Sequence, residues 1–374
     1  MKITDVKALV LKLPEISSAA DGTQDDLIII VETDEGITGY GEVDTAPFVG
    51  KAVVEAYMSH GTCYGLKEAI VGADPFDYEQ VWRDMWDKTY YYGRTGPVMH
   101  VMSGIDMALW DIMGKSTGKP VHKLLGGSYS DKARAYASAL MPETVSEVKR
   151  MTEAYVSQGF TAIKYGWGPL GYDVHKDIEL VRTARKTAGD HIAIMIDIGK
   201  RYRLKEAMYV ARALEQLDIY WLEEPLPAED YHGYKTLTES TVLRIATGEE
   251  ESGRAAFARL VNEAHVDVIQ PDMSRCGGLT EAKKIASIAL DNNILCVPHA
   301  FKTGALVAAS LHLIASIPHA PFLEFSVTES PIRKGLLKEP FVQKDGYVDI
   351  PQTPGLGIEL NPEIIKKYGV KNNL

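Results

Sequence analysis

Asp197, Glu223 and Glu249 recur at intervals of 26 residues, each at or just past the end of a short apolar run. If those runs are successive parallel strands, the three carboxylates converge on one point. Without a cation their repulsion and desolvation would be costly there. A hard divalent ion with oxygen ligands resolves that cost. Mg2+ is the natural candidate, with Mn2+ as the alternative, because no thiolate pair or multi-histidine cluster speaks for zinc. Taken singly, each acid could equally cap the helix after its strand; three at equal phase favour the metal.

Gln270-Pro271-Asp272 and Val297-Pro298-His299 end two further runs, which puts an acid and an imidazole at equivalent places on neighbouring strands. An aspartate bonded to one ring nitrogen fixes the tautomer and raises basicity, leaving the other nitrogen as a general base. Lys164, near the end of the run 161–165, could neutralise a bound carboxylate on the side away from the metal. Glu324, in Phe322-Leu323-Glu324-Phe325, reads as a buried acid that stays protonated and donates to a developing oxyanion, or else as a salt-bridge partner of Lys164.

The elements that must position these groups follow from periodicity. Short apolar runs at 133–140, 161–165, 192–197, 219–223, 243–247, 266–270, 294–297 and 322–325 alternate with amphipathic helical stretches, in a βαβα rhythm that implies parallel strands. Eight such units in about 200 residues fit a (β/α)8 barrel, whose catalytic groups gather at the C-terminal strand ends; a doubly wound open sheet is the structural alternative. Before them, the β-branched run Leu27-Ile28-Ile29-Ile30-Val31, the turn at Asp34-Glu35-Gly36 and its partner 37–43 predict a hairpin. Helical spacing then runs, with breaks, from about residue 53 to 117, so the first third is a small α+β unit. The tail beyond about Leu337 carries turn chemistry at Gly346 and Pro354-Gly355 and is expected to pack back on the N-terminal unit.

The chain of 374 residues holds 40 basic and 51 acidic side chains, a net charge of −11. No basic field is present to gather nucleic acid or an anionic membrane. Three cysteines (Cys63, Cys276, Cys296) make no disulfide framework. With no signal-peptide layout at Met1–Asp5 and no membrane-length apolar stretch, a cytoplasmic protein is expected. Gly114-Lys115-Ser116 lacks the upstream glycine of a phosphate-binding loop, and Gly39-Tyr40-Gly41-Glu42 lacks the third glycine of a dinucleotide fingerprint.

Taken together, Lys164, Asp197, Glu223, Glu249, Asp272, His299 and Glu324, with the stretch Ser103–Asp111 at the end of the N-terminal unit, resemble the enolase superfamily and its mandelate racemase subgroup over nearly the whole chain. The resemblance implies an α+β capping domain (1–125), a modified TIM-like (β/α) barrel (126–337) and a C-terminal segment (338–374) that completes the cap. It further implies Mg2+ on Asp197, Glu223 and Glu249, His299–Asp272 as base, and Lys164 and Glu324 stabilising the enediolate left when the proton α to a carboxylate is removed. Racemases of the subgroup carry Lys-x-Lys on the second barrel strand; here the second lysine's place is Gly166, and no histidine lies two residues after Asp197. Two-base racemisation therefore loses its partner. What remains is one-face chemistry: syn dehydration of an aldonate or aldarate to a 2-keto-3-deoxy acid, with an epimerase or cycloisomerase as the enzyme alternative and a non-catalytic metal- or carboxylate-binding barrel as the alternative of another class. Tyr165, Trp167, Lys200 and Tyr202 are candidates for the acid and for substrate contact. Two cap loops, 15–26 and 44–50, are expected to set specificity through residues such as Ser18 and Thr45. The cluster Tyr90–Arg94 could reach a sugar acid or serve packing. A small-molecule carboxylate substrate and a homo-oligomer complete the expectation.

Overall fold

A computed structural model describes residues 1–371. Residues 372–374, the end of the expected C-terminal segment, lie outside the described residues. Strands β1 (Ile3–Lys12), β2 (Asp25–Thr33) and β3 (Thr38–Val43) form an antiparallel meander in that order. The β2–β3 turn closes through Gly36 in the left-handed region, at φ 75°. Against this sheet lies helix Pro97–Thr117, started by proline in its first turn and ended by Gly118 at φ 65°. It is buried almost continuously from Val98 to Gly114, because one side meets the sheet and the other meets the barrel. Its approach to β3 is backbone on backbone: a Cβ on Gly41 would sit 1.8 Å from the Gly104 carbonyl oxygen.

The stretch Ser103–Asp111 lies on this helix and works as a clamp. Ser103 Oγ accepts from Gly277 N–H at 2.8 Å and Asp106 Oδ2 from Thr280 N–H at 3.0 Å. Both therefore hold the start of barrel helix Gly278–Asp291, which follows the Asp272 loop. Asp111 accepts from Tyr40 N–H (3.0 Å) and Leu356 N–H (2.8 Å) and pairs with Lys115 at 2.6 Å, tying sheet, helix and tail together.

All eight predicted runs are strands, β4 (Lys132–Leu140), β5 (Ala162–Gly166), β6 (Ala193–Asp197), β7 (Trp221–Glu223), β8 (Arg244–Thr247), β9 (Val268–Ile269), β10 (Leu295–Cys296) and β11 (Leu323–Ser326). They pair in parallel in sequence order, and β11 returns to pair with β4. Seven helices of nine residues or more cross between them, whereas the helix next after β11 is the five-residue Pro331–Gly335. The seam between β10 and β11 is bridged by Cys296 N–H to the His319 carbonyl (3.2 Å). Inside the barrel Tyr136, Trp221 and Phe322 meet edge to face, filling its axis beneath the polar strand ends.

The tail does more than rejoin the cap. Strand β12 (Tyr347–Asp349) pairs antiparallel with the start of β4, and only afterwards does Val370 N–H reach the Val10 carbonyl of the cap sheet at 2.9 Å. No helix among the described residues is long and apolar enough to cross a membrane. The backbone contact at Gly41 yields a test: Gly41→Ala, which must separate β3 from the long helix, is expected to lower unfolding free energy by about 2 kcal/mol or more in a denaturant titration.

Candidate active site

Parallel pairing places Asp197 and Glu223 in register as the last residues of β6 and β7, and Glu249 two residues past β8. All three are buried, and one carboxylate oxygen from each lies within 4.8 Å of the others. Burial, and then the charge of Glu223, push Asp197 well above the usual carboxylate range. Glu223 is raised by burial despite Lys164, while Glu249 falls below its ordinary value because His299 and Arg275 outweigh its burial. Asp197 accepts a single backbone bond, from Gly199 N–H at 2.8 Å. An all-oxygen cluster with this uncompensated charge fits a hard divalent cation.

The dyad forms as the strand ends predict. His299 Nδ1 lies 2.7 Å from Asp272 Oδ2, while Asp272 Oδ1 accepts from Ser274 N–H (2.6 Å) and Ser274 Oγ (2.5 Å), so the acid is fixed from behind. That leaves Nε2 as the free ring nitrogen, 3.4 Å from Glu249 and 3.7 Å from Glu324. Burial alone would lower the imidazole, but Glu249, Glu324 and Asp272 together lift it to about 10. Lys164 bridges Glu223 at 2.5 Å and Glu324 at 2.9 Å; burial disfavours its charge, yet those two carboxylates hold it charged.

Glu324 departs from the expected protonated acid. Although burial pushes it up, Lys164 and His299 bring it down to about 2, and it accepts from Ser138 Oγ (2.7 Å) and Ala300 N–H (2.8 Å). It is the salt-bridge partner of Lys164.

Several expected substrate contacts lie elsewhere. Strand alternation turns Lys164 inward and its neighbour Tyr165 outward, where the Tyr165 hydroxyl bonds Thr152 at 2.8 Å in the helix layer. Tyr202 donates to Asp177 at 2.6 Å, also behind the barrel. Lys200 is engaged by Glu250 (2.6 Å) and Glu224 (3.3 Å). Ser18 is exposed and its loop reaches the site instead through Ala20, Asp21 and Gly22; Thr45 likewise yields to Asp44. Much of the second loop is the first turn of helix Pro47–Glu55. Tyr90–Arg94 line a separate surface depression with Trp86 and Arg259.

Trp167 does face the chamber. It stands in left-handed backbone at φ 55°, as do Lys200 (67°) and Glu224 (40°) after the next two strands, a clustering of strained residues at the site. The chamber is a cavity of about 300 Å3 whose far side is lined by the cap loops. Three charged residues missed in sequence shape it. Arg275 joins Asp44 at 2.5 Å and Glu249 at 3.6 Å. Lys302, 2% exposed, donates to the Gly22 carbonyl (2.7 Å) and pairs with Asp44 (3.4 Å), pinning both cap loops. Arg275 and Lys302 lie three residues beyond Asp272 and His299, and Asp44 directly follows β3, so strand-end position was the signal that could have found them.

Fold and site together define a capped barrel with a metal-type acid cluster and a histidine–aspartate pair at its mouth. Residues 3–126 match the N-terminal domain of mandelate racemase / muconate lactonizing enzymes, and residues 147–364 match the enolase C-terminal domain-like family. The chain belongs to the mandelate racemase / muconate lactonizing enzyme family of the enolase superfamily. It is similar to D-galactarolactone cycloisomerase of Agrobacterium fabrum (31% identical, 98% of this chain and 99% of that one) and to L-rhamnonate dehydratase of Saccharopolyspora erythraea (34%; 90% and 84%). Among solved structures, 3,6-anhydro-D-galactonate cycloisomerase from Zobellia galactanivorans superposes with TM-score 0.90 at 32% identity, covering 99% of this chain and 100% of that one. A racemase from Streptomyces coelicolor with bound magnesium superposes with TM-score 0.87 at 28% identity, covering 98% and 100%. These relatives are enzymes, some isomerases and one a lyase.

Two expectations follow from the geometry. Glu223→Gln should weaken Mg2+ binding at least about tenfold by calorimetry while the far-UV spectrum stays native; unchanged affinity would remove Glu223 from the metal site. Asp272→Asn, which no longer fixes the imidazole tautomer, should lower kcat by about two orders of magnitude or more with little change in KM.

Proposed function

We propose that this protein takes the α-proton of a polyhydroxylated carboxylate with His299 and expels the oxygen on the adjacent carbon from the same face, dehydrating an aldonate or aldarate to a 2-keto-3-deoxy acid. The observation that carries this reading is the wall opposite the base. At Gly166 a Cβ would stand 2.8 Å from Asp197 Oδ2 and 2.9 Å from its Cβ, so a side chain there would have to displace a member of the acid cluster, and the glycine itself supplies no second base. With one dyad on one face, epimerisation has no partner, whereas elimination needs none.

Asp197, Glu223 and Glu249 would hold Mg2+, or Mn2+, which when bound offsets their charge and polarises the substrate carboxylate. Lys164 Nζ meets the carboxylate oxygen on which charge develops, in a buried site where such a contact counts for more than in water. Glu324, kept charged, holds Lys164 in place. With a bound cation offsetting the charge of Glu249, which otherwise helps to hold the imidazole protonated, His299 Nε2 would be free to remove the proton, with Asp272 orienting the ring and stabilising the imidazolium that forms. The same Nε2–H then protonates the departing β-hydroxyl: the α C–H and β C–O bonds are broken, water leaves, and the enol ketonises to the 2-keto acid. The cap loops, pinned by Lys302, keep bulk water from the enediolate.

The likeness to two cycloisomerases along the full chain favours a second reading, in which the leaving oxygen belongs to a ring of the substrate and stays attached, so that elimination becomes isomerisation. A stereochemically complete panel of acid sugars and their lactones, incubated with enzyme and Mg2+, separates the two. Release of a 2-keto-3-deoxy acid from an open-chain substrate supports dehydration, and turnover confined to cyclic substrates supports isomerisation. His299→Asn should abolish keto acid formation and α-deuterium exchange together, a loss of at least about a thousandfold. Exchange retained in that variant would place the base elsewhere.

A further inference from the structure

We infer that the substrate carries a single carboxylate, an aldonate rather than an aldarate, because the cap side of the chamber offers its far end two fixed acids and only cations that are already paired. The inference rests on the proposed acid-sugar chemistry and narrows it.

The charges around the chamber divide by place. On the barrel side Lys164, the metal-type triad and His299 receive the reacting carboxylate and the α-proton. The cap contributes Asp21 and Asp44 to the lining. Asp44 is held at both oxygens, Oδ2 by Arg275 at 2.5 Å and Oδ1 by Lys302 at 3.4 Å, so it is a fixed charge. Asp21 Oδ1 accepts from Thr23 N–H (2.9 Å) and Thr23 Oγ1 (2.6 Å), which locks the tip of the first cap loop.

Among the described lining residues every cation is engaged. Lys164 serves Glu223 and Glu324, and Arg275 serves Asp44 and Glu249. A second carboxylate at the far end of a six-carbon chain would be stripped of water beside Asp21 and would have to compete with Asp44 for Arg275 and Lys302. Pulling Arg275 from Asp44 would not relieve this, since Lys302, itself shared with Asp25 at 3.6 Å, still holds Asp44 in position. A terminal hydroxyl meets the opposite situation: it is a donor, and carboxylates are the acceptors it faces. The remaining walls, Trp167 and Phe301, suit the C–H faces of a polyol chain.

The test separates binding from chemistry. His299→Asn protein loaded with Mg2+ is titrated by calorimetry with matched pairs of the same configuration, each an aldonate and the aldarate that differs from it only at the terminal carbon. The aldonate of the best-bound pair is expected to bind at least about tenfold more tightly, and Asp44→Asn in the same background should narrow that gap by neutralising one acid and releasing Arg275. An aldarate that binds as well as or better than its aldonate in the best-bound pair would overturn the inference while leaving the dehydratase reading intact. Binding of neither member of any pair would overturn both. A gap unchanged by Asp44→Asn would overturn the assignment of the selectivity to Asp44.

Discussion

Three carboxylates buried within 4.8 Å of one another are the constraint around which this molecule is organised. Such a cluster is tolerable only if cations surround it, and the structure supplies them by direction: Lys164 from β5 against Glu223, Arg275 from the loop after β9 against Glu249. Asp197, left with one backbone donor, marks where the remaining positive charge belongs. Because each acid ends or follows one of three adjacent parallel strands, the cluster exists only when β6, β7 and β8 are in register, so the geometry of the site depends directly on the fold.

The same balance reaches the base. His299 owes its high proton affinity to Glu249 and Glu324 as well as to Asp272, so base and acid cluster form one electrostatic unit. Lys164 and Arg275 are in turn held by acids, and through Asp44 and Lys302 the network runs into the cap loops. The cap is thereby fastened to the barrel at several places, among them these buried ion pairs above the chamber, Glu42, which accepts from Thr303 and Leu306 N–H, and Ser103 and Asp106 on the helix beside the Asp272 loop.

The barrel was legible in the sequence because eight apolar runs at βα spacing leave few alternatives, and the triad and dyad because acids at equal phase cannot be explained singly. Glu324 had two readings in sequence, a protonated acid among apolar neighbours or a salt-bridge partner of Lys164, and choosing the second needed the contact itself, because the two residues lie 160 positions apart in the chain. Tyr165 was assigned to the chamber although the two-residue period that turns Lys164 inward must turn Tyr165 outward. Ser18 and Thr45 were one to three residues from the lining positions Asp21 and Asp44, an error of loop conformation that periodicity does not address. The stretch Ser103–Asp111 stood out in sequence, yet only the structure shows that Ser103 and Asp106 clamp the cap to the barrel while Asp111 ties the cap sheet to the tail.

One-face chemistry by a single base leaves its mark in the stereochemistry at the α-carbon. Pairs of acid sugars epimeric only at C2 are incubated with the Mg2+-loaded enzyme in D2O and followed by proton NMR. Loss of the α-proton signal is expected from one configuration at C2 and none from its epimer at equal enzyme concentration. Exchange from both epimers would require a proton acceptor on the Gly166 side and would contradict one-face chemistry.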